Sequence, residues 1–258
     1  MVGGAMARYF KIMGVLPFLY DKGKDIGSPE AVNKADIIFI CVPTPYSGKN
    51  GFDLSFVNKA FKEIKGKKIV VLRSTVWPGT TDSFQKKYPQ HKILFNPEFL
   101  SVATADKDFR NPDLQIIGYA NKSKKEAKKV LGILPVAPFE KIVPAKEAEM
   151  LKYFHNVHGA VKVIFGNQFY DLCRKMGIDY DSMVECAAAS KNICTKQYLN
   201  VWHKKFRGYG GSCFYKDTKA LIQFGDKKGI KLELLKAAEK VNQRLLKEQG
   251  IKNPESIQ

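Results

Sequence analysis

The 258-residue sequence has no long hydrophobic run. None of its apolar stretches approaches the ~18 residues that cross a bilayer, so no membrane partner is expected. Its start, MVGGAMARYFK, has no apolar core followed by a cleavage site. A secretory signal is therefore not expected, and the cytoplasm is the expected compartment. Cysteine is sparse and unpaired in pattern. Cys41, Cys173, Cys186, Cys194 and Cys213 are odd in number and widely spaced, with no CxxC pair and no Cys/His cluster, which argues against zinc. The four histidines, His91, His155, His158 and His203, show no metal spacing either; His155 and His158 are three apart, but nothing completes a ligand set. Free thiols in a reducing compartment follow, one of them available as a nucleophile.

Acidic residues are few: 25 against 43 Lys plus Arg, a formal net charge of +18. Such a field attracts anions, nucleic acid among them. The lysines are scattered, however, and no aromatic residues interleave with them in a nucleic-acid-binding pattern. The expectation is a solvated lysine-rich surface, no nucleic-acid partner, and compatibility with a diphosphate-bearing substrate. With 45% hydrophobic and 26% charged residues, the composition is that of a globular chain able to bury one large core or two small ones.

The first part alternates short apolar runs with amphipathic stretches. Val15 to Tyr20, Ile37 to Val42, Lys68 to Leu72, Ile93 to Phe95 and Leu114 to Tyr119 are rich in Ile, Val or aromatics and bounded by turn residues. They read as buried parallel strands. Residues 31–34, 54–64, 81–88 and 122–131 read as helices between and after them. This repetition predicts an α/β fold with a Rossmann-like doubly wound parallel sheet over residues 1–144. After Pro144 the texture changes. Met150, Leu151, Phe154, Val157, Val161, Phe165, Phe169 and Leu172 recur at helical spacing, which predicts one long helix, a turn at Gly177 and a second helix. Residues 191–211 read as irregular, and helices return at 218–228 and 232–249. Residues 145–258 are thus an expected all-α domain.

Three strand ends carry polar loops, the place where doubly wound sheets bind ligands. ADIIFICVPTP (residues 35–45) runs into Val42, Pro43 and Thr44. RSTVWPGTT (73–81) offers Ser74 and Thr75, either as helix caps or as ligand contacts. FNPEFLS (95–101) offers Asn96 and Glu98, the latter a proton-handling carboxylate or simply a helix-start residue. Asp21 ends the run FLYD, where it suits either a ribose contact or a strand-end cap. Gly3 and Gly4 precede a helix-like AMARYFK, with no strand before them; this is a fragment of a Gly-rich turn.

GYGGSCFYKD (208–217) is the sharpest feature. Its glycines let backbone approach a ligand or adopt positive φ. Cys213 follows them directly, and Lys204 and Lys216 nearby favour a thiolate nucleophile. Lys152 and Asn156 lie four apart in EMLKYFHN and so share one helix face. That face is either a solvated stripe or, given its bulky neighbours, an oxyanion-holding pair. Cys41 and Cys173 read as structural.

Together ADIIFICVPTP, STVWPGTT, NPEFL, EMLKYFHN, GYGGSCFYKDT and a late VNQR at 241–244 resemble the UDP-glucose/GDP-mannose dehydrogenase family, in the family's order. Relative to that family the chain looks truncated at both ends, lacking the first strand and the last nucleotide-gripping domain. Val102 stands where the family has a second Glu. The resemblance implies oxidation of a nucleotide-sugar primary alcohol to a carboxylate with two NAD+, UDP-glucose being the expected substrate. It implies Cys213 as the thiol that attacks the intermediate aldehyde and Lys152 and Asn156 as oxyanion holders. Asp217 and Glu98 would be the proton-handling carboxylates, with Thr75 beside them. Gly3, Asp21, Val42, Pro43, Thr44, Ser74 and Lys216 would contact NAD. Lys204, Gly210, Phe99 and Leu100 would contact the substrate. A homodimer through the helical domain is implied as well.

Two other readings stand beside this one. A binding-only relative or fragment would keep the scaffold without turnover. A dehydrogenase of the β-hydroxyacid type shares the fold but works with a Lys and no Cys, and GGSC argues against it.

Overall fold

The structure, a computed structural model, describes residues 1–48, 51–190, 201–203 and 206–254. By compactness it divides into two units. The first comprises 1–44 and 52–152, the second 45–51 and 153–258. The divide thus falls inside the long helix that opens at Ala145, eight residues beyond the composition change at Pro144.

The first unit begins with helix α1 (Val2–Ile12), followed by a two-residue hairpin of β1 (Tyr20–Asp21) and β2 (Ile26–Gly27) and by the single turn α2 (Pro29–Val32). Then come β3 (Ile37–Ile40), α3 (Ser55–Glu63), β4 (Ile69–Leu72), α4 (Thr80–Lys87), β5 (Lys92–Phe95), α5 (Ala105–Arg110), β6 (Leu114–Tyr119), α6 (Lys124–Leu131) and β7 (Phe139–Pro144). β3 to β7 form one sheet in sequence order. Strands such as IVVL and KILF are apolar at nearly every position because both faces are covered. On one face Val57 and Phe61 of α3 and Phe84 of α4 pack with Val70, Leu72, Ile93 and Phe95. On the other, Ala5 and Met6 of α1, Phe109 of α5 and Ala127 and Val130 of α6 pack with Val71, Leu94 and Ile117. Arg8 of α1 pairs with Asp106 of α5 at 2.6 Å, an exposed ion pair that solvent screens.

The structure departs from the sequence pattern in four places. Residues 15–19 form no strand, and among the described residues Tyr20–Asp21 pairs only with β2. Leu16 is 82% exposed. An apolar β-rich run becomes a buried strand only where a neighbour supplies its ladder. β3 is an edge of the five-stranded sheet among the described residues, and residues 15–19 do not pair with it. Second, the sheet is not wholly parallel: β5 and β6 run antiparallel, with Phe95 opposite Gly118. The link 96–113 returns to the sheet end it left, so no crossover turns the chain around. Third, β7 joins the sheet parallel to β6 although its sequence FEKIVP lacks a continuous apolar run; it is an edge strand, mostly exposed. Fourth, the second unit is not purely α.

α7 (Ala145–Met176) starts directly after β7 and enters the second unit at Tyr153. Gly177, at φ +68°, ends it. Asp179 then caps α8 (Tyr180–Ala188) by accepting from the Ser182 N–H at 3.1 Å. β8 (Trp202–His203) and β9 (Phe206–Arg207) make a short antiparallel ladder. α9 (Lys216–Lys227) and α10 (Glu233–Glu248) follow. Ala160, Val163 and Ile164 of α7 pack with Tyr209 and with Ala238 and Leu245 of α10. Cys173, Tyr180, Val184 and Val201 form a smaller cluster.

Candidate active site

In the first unit the polar residues gather at the strand ends. The Thr44 hydroxyl donates to the Thr75 carbonyl at 2.8 Å, and the Ser74 hydroxyl donates to the Val42 carbonyl at 2.6 Å. The loops after β3 and β4, with Val42, Pro43 and Thr44 on one and Ser74 and Thr75 on the other, are thereby tied to each other. Neither Ser74 nor Thr75 caps α4, which begins at Gly79 without a side-chain cap of its own. That task falls to Glu149 of α7. Its carboxylate accepts from the Gly79 N–H at 2.5 Å and from the Thr81 N–H and hydroxyl at 2.8 and 2.6 Å. Glu149 is fully buried, and burial pushes its carboxyl up to about 7 against the pull of those three donors.

Glu98 lies in the loop after β5, not at a helix start. It pairs with Lys152 at 2.9 Å, and both side chains are buried. Lys152 also donates to the Glu98 carbonyl at 2.5 Å and sits 5.6 Å over the Phe99 ring. The Leu100 N–H donates to the other carboxylate oxygen at 2.9 Å. Burial alone would raise Glu98; the charge and hydrogen bond of Lys152, the Leu100 N–H and the charge of Arg73 overcome it and hold the carboxyl below its ordinary value. Glu98 is therefore a buried carboxylate, able to take a proton, beside a buried cation.

Arg73 went unnoticed in the sequence. It is buried at the end of β4, donates to Asn96, lies 5.4 Å from the Phe109 ring, and leaves its Nε without a hydrogen-bond partner among the described residues. Asn96 in turn donates to the Ile116 carbonyl at 2.8 Å, fixing the start of the Glu98 loop. Gly3 lies in the first turn of α1, where a Cβ would stand 3.4 Å from that of Cys41. Burial pushes the Cys41 thiol up to about 11, in keeping with a structural cysteine. Asp21 accepts from the Gly23 N–H at 3.0 Å and is exposed, so the local cap is realised.

In the second unit Cys213 sits half-buried in a π-helical turn, Gly211–Tyr215, that leads into α9; extended Gly210 precedes it. Asp217 in the first turn of α9 is fully buried. Its two oxygens accept from Asn156 Nδ2 at 2.5 Å and from Lys216 Nζ at 2.6 Å. Lys216, expected to favour the Cys213 thiolate, thus gives its ammonium to Asp217. Phe214 packs onto α7 because residue 159 is glycine; a Cβ there would come within 2.6 Å of the ring. Lys204 lies outside the described residues.

The shared helix face predicted for Lys152 and Asn156 holds as buried rather than solvated, with each residue already engaged by a carboxylate. Glu149, Arg73, Asn96 and, in VNQR, Asn242 carry structure that sequence reasoning left without a role. The signal for Glu149 and Asn242 was their place in the quoted motifs. Arg73 and Asn96 gave none beyond a polar residue at a strand end. Among the described residues no group of three or more His, Cys, Asp or Glu is placed to hold a metal ion.

Comparison with known proteins converges on one family. Residues 24–132 match the NAD binding domain of the UDP-glucose/GDP-mannose dehydrogenase family, and residues 146–244 match that family's central domain. A UDP-glucose 6-dehydrogenase of Bacillus subtilis is 34% identical over 81% of this chain and 49% of its own length. A GDP-mannose 6-dehydrogenase of Pseudomonas putida is 30% identical over 83% of this chain and 52% of its own. The chain thus spans about half the length of the curated relatives it matches. The solved UDP-glucose dehydrogenase of Pyrobaculum islandicum superposes with a TM-score of 0.73 at 29% identity, covering 96% of this chain and 64% of that one. With two consecutive domain models matched in order and the Cys213 motif in the second, the chain belongs to the UDP-glucose/GDP-mannose dehydrogenase family.

Proposed function

We propose that the chain takes part in NAD-dependent oxidation of a nucleotide sugar, UDP-glucose in the first instance, from the C6 alcohol to the uronic acid. The observation that carries this reading is the fully buried Asp217, held by Asn156 and Lys216 four residues after Cys213. A binding surface has no need of a thiol four residues ahead of an internal carboxylate locked by two donors.

The residues of the first unit suit the cofactor. Gly3 and Gly4 lie in the first turn of α1, and Gly3 is next to Cys41 just beyond β3. N–H groups at a helix start suit a pyrophosphate. Val42, Pro43, Thr44 and Ser74 line neighbouring strand ends, and Asp21 offers a carboxylate for a ribose. When bound, the dinucleotide supplies the hydride acceptor, two equivalents per sugar.

The chain's own residues do the rest. Glu98, held ionised, takes the alcohol proton, and Thr75, in the loop after β4, serves the same step. The Cys213 sulfur adds to the aldehyde carbon, and its proton passes to Asp217. Lys152 and Asn156 hold the oxygen that gains charge. Loss of the second hydride leaves a thioester, which water cleaves to release the carboxylate and restore the thiol. Covalent capture keeps the aldehyde from escaping. Phe99, Leu100, Gly210 and Lys204 contact the substrate.

We assign a homodimer through α7. In the second unit the exposed Phe154, Phe165, Phe169 and Met176 recur at helical spacing. Phe154 and Met176 are 69% and 70% exposed. A stripe of that kind marks a protein interface; a monomer by light scattering would end the assignment. Cys41, Cys173 and Cys186 are free, which suits the cytoplasm.

The test is NADH formation at 340 nm with UDP-glucose, alongside Cys213→Ser. Two NADH per sugar, lost in the variant, is expected. Absence of turnover in a folded sample would favour the binding-only relative.

A further inference from the structure

The glycine loop ahead of Cys213 makes little ladder of its own, and its backbone is held from outside. Gly208 has φ +94°, and a Cβ there would lie 2.6 Å from the Asn242 oxygen. The next residue, Tyr209, is buried and is gripped at three atoms by one face of α10. Its N–H donates to Asn242 Oδ1 at 2.7 Å, and its carbonyl accepts from Asn242 Nδ2 at 3.0 Å. Its hydroxyl donates to Glu239 Oε2 at 2.6 Å. Burial, reinforced by the charge of Glu239, raises the Tyr209 hydroxyl and keeps it a donor. Glu239 is itself fixed by Gln243 at 2.9 Å and Lys219 at 3.7 Å. Asn242 and Glu239 are three apart, hence neighbours on the helix surface.

The side-chain amide of asparagine has the donor and acceptor of a peptide group. Asn242 therefore pairs with Tyr209 as a strand would, but through one residue only. Alanine removes both bonds, and aspartate removes the donor. Asn242 is fully buried, so nothing from solvent replaces what it supplies.

We propose that Asn242 and Glu239 are positioning residues for Cys213. The turn carrying the thiol is anchored at its far end by Asp217 on Asn156 and at its near end by the clamp on Tyr209. The attitude of the sulfur is set by α10, although neither residue touches it. This rests on reading Cys213 as the reactive thiol, and the test separates the two ideas.

The test is the rate of iodoacetamide alkylation at each cysteine, followed by peptide mass spectrometry on the whole chain. Cys173, buried on α7, reports general loosening of the unit, and exposed Cys186 reports reagent activity. In Asn242→Ala the Cys213 rate is expected to change at least tenfold while Cys173 stays protected and Cys186 is unaltered. Tyr209→Phe, which keeps the ring and the backbone clamp, is expected to give a smaller change of the same sign, and so serves if Asn242→Ala fails to fold. Where turnover is measurable, kcat falls in both with KM little altered. An unchanged Cys213 rate in folded variants, or Cys213 and Cys173 rising together, would overturn the proposal. If the unaltered chain shows no turnover, the functional reading fails while alkylation still reports on the clamp.

Discussion

Glu149 is a buried acid that forms no ion pair among the described residues, and this gives stability a distinct pH signature. Three donors and the N-terminus of α4 favour the carboxylate. Complete burial opposes it, and so does Asp82 in the first turn of α4; burial wins and places the carboxyl near 7 against an ordinary 4.5. A folded-state value above the unfolded one means that the native chain holds the proton more tightly. Its contribution is fully present below 4.5 and is lost as the pH rises through about 7. At about 1.4 kcal/mol per pH unit, the loss is on the order of 3 kcal/mol. Glu149→Gln keeps the shape and one acceptor but cannot ionise, so it lacks this slope. The assay is urea unfolding at a series of pH values, read from Trp77 in a Trp202→Phe background; the Trp77 carbonyl accepts from the Thr80 N–H, inside the loop that Glu149 holds. The unaltered chain is expected to lose stability relative to Glu149→Gln across that window. Parallel curves, or a relative gain with rising pH, would show that the three donors outweigh burial and would refute the reasoning.

Lys152→Met leaves Glu98 buried without its cation, which costs about 3–5 kcal/mol. In the unaltered chain the Glu98 contribution is present above the ordinary value of 4.5 and lost as the pH falls through the depressed one. Urea midpoints should therefore show an acid limb that the variant lacks. Gly159→Ala places a methyl against the Phe214 ring. A destabilisation of about 1–3 kcal/mol is expected from overpacking, with a changed Cys213 alkylation rate; a silent variant would mean that the ring moves freely.

Individual segments show how far the sequence reached. IVVL, KILF and LQIIGY were legible as strands because burial on both faces demands nearly continuous Ile, Val and Leu. α7 was legible because its apolar residues recur every three or four positions over many turns. FEKIVP was not, because an edge strand has only part of its surface to bury. α5 was too short to show a period. Val15 to Tyr20 had the residues of a strand, but among the described residues only Tyr20 joins a ladder, the short one with β2, and composition cannot report a neighbour. The direction of β6 depends on which end of the sheet the chain returns to, and no local pattern encodes that.

At the site the division is the same. The residue types were set by chemistry that a motif records: a thiol after glycines, a lysine and an asparagine one turn apart, a carboxylate in a strand-end loop. Their partners were not. Glu98 meets Lys152 across 54 residues of chain, Asn156 meets Asp217 across 61, Glu149 meets Gly79 across 70 and Asn242 meets Tyr209 across 33. A hydrogen bond depends on distances of about 3 Å. Those distances are fixed by packing between elements far apart in the chain, so the sequence by itself determined which groups are available and the tertiary structure alone decided which of them meet.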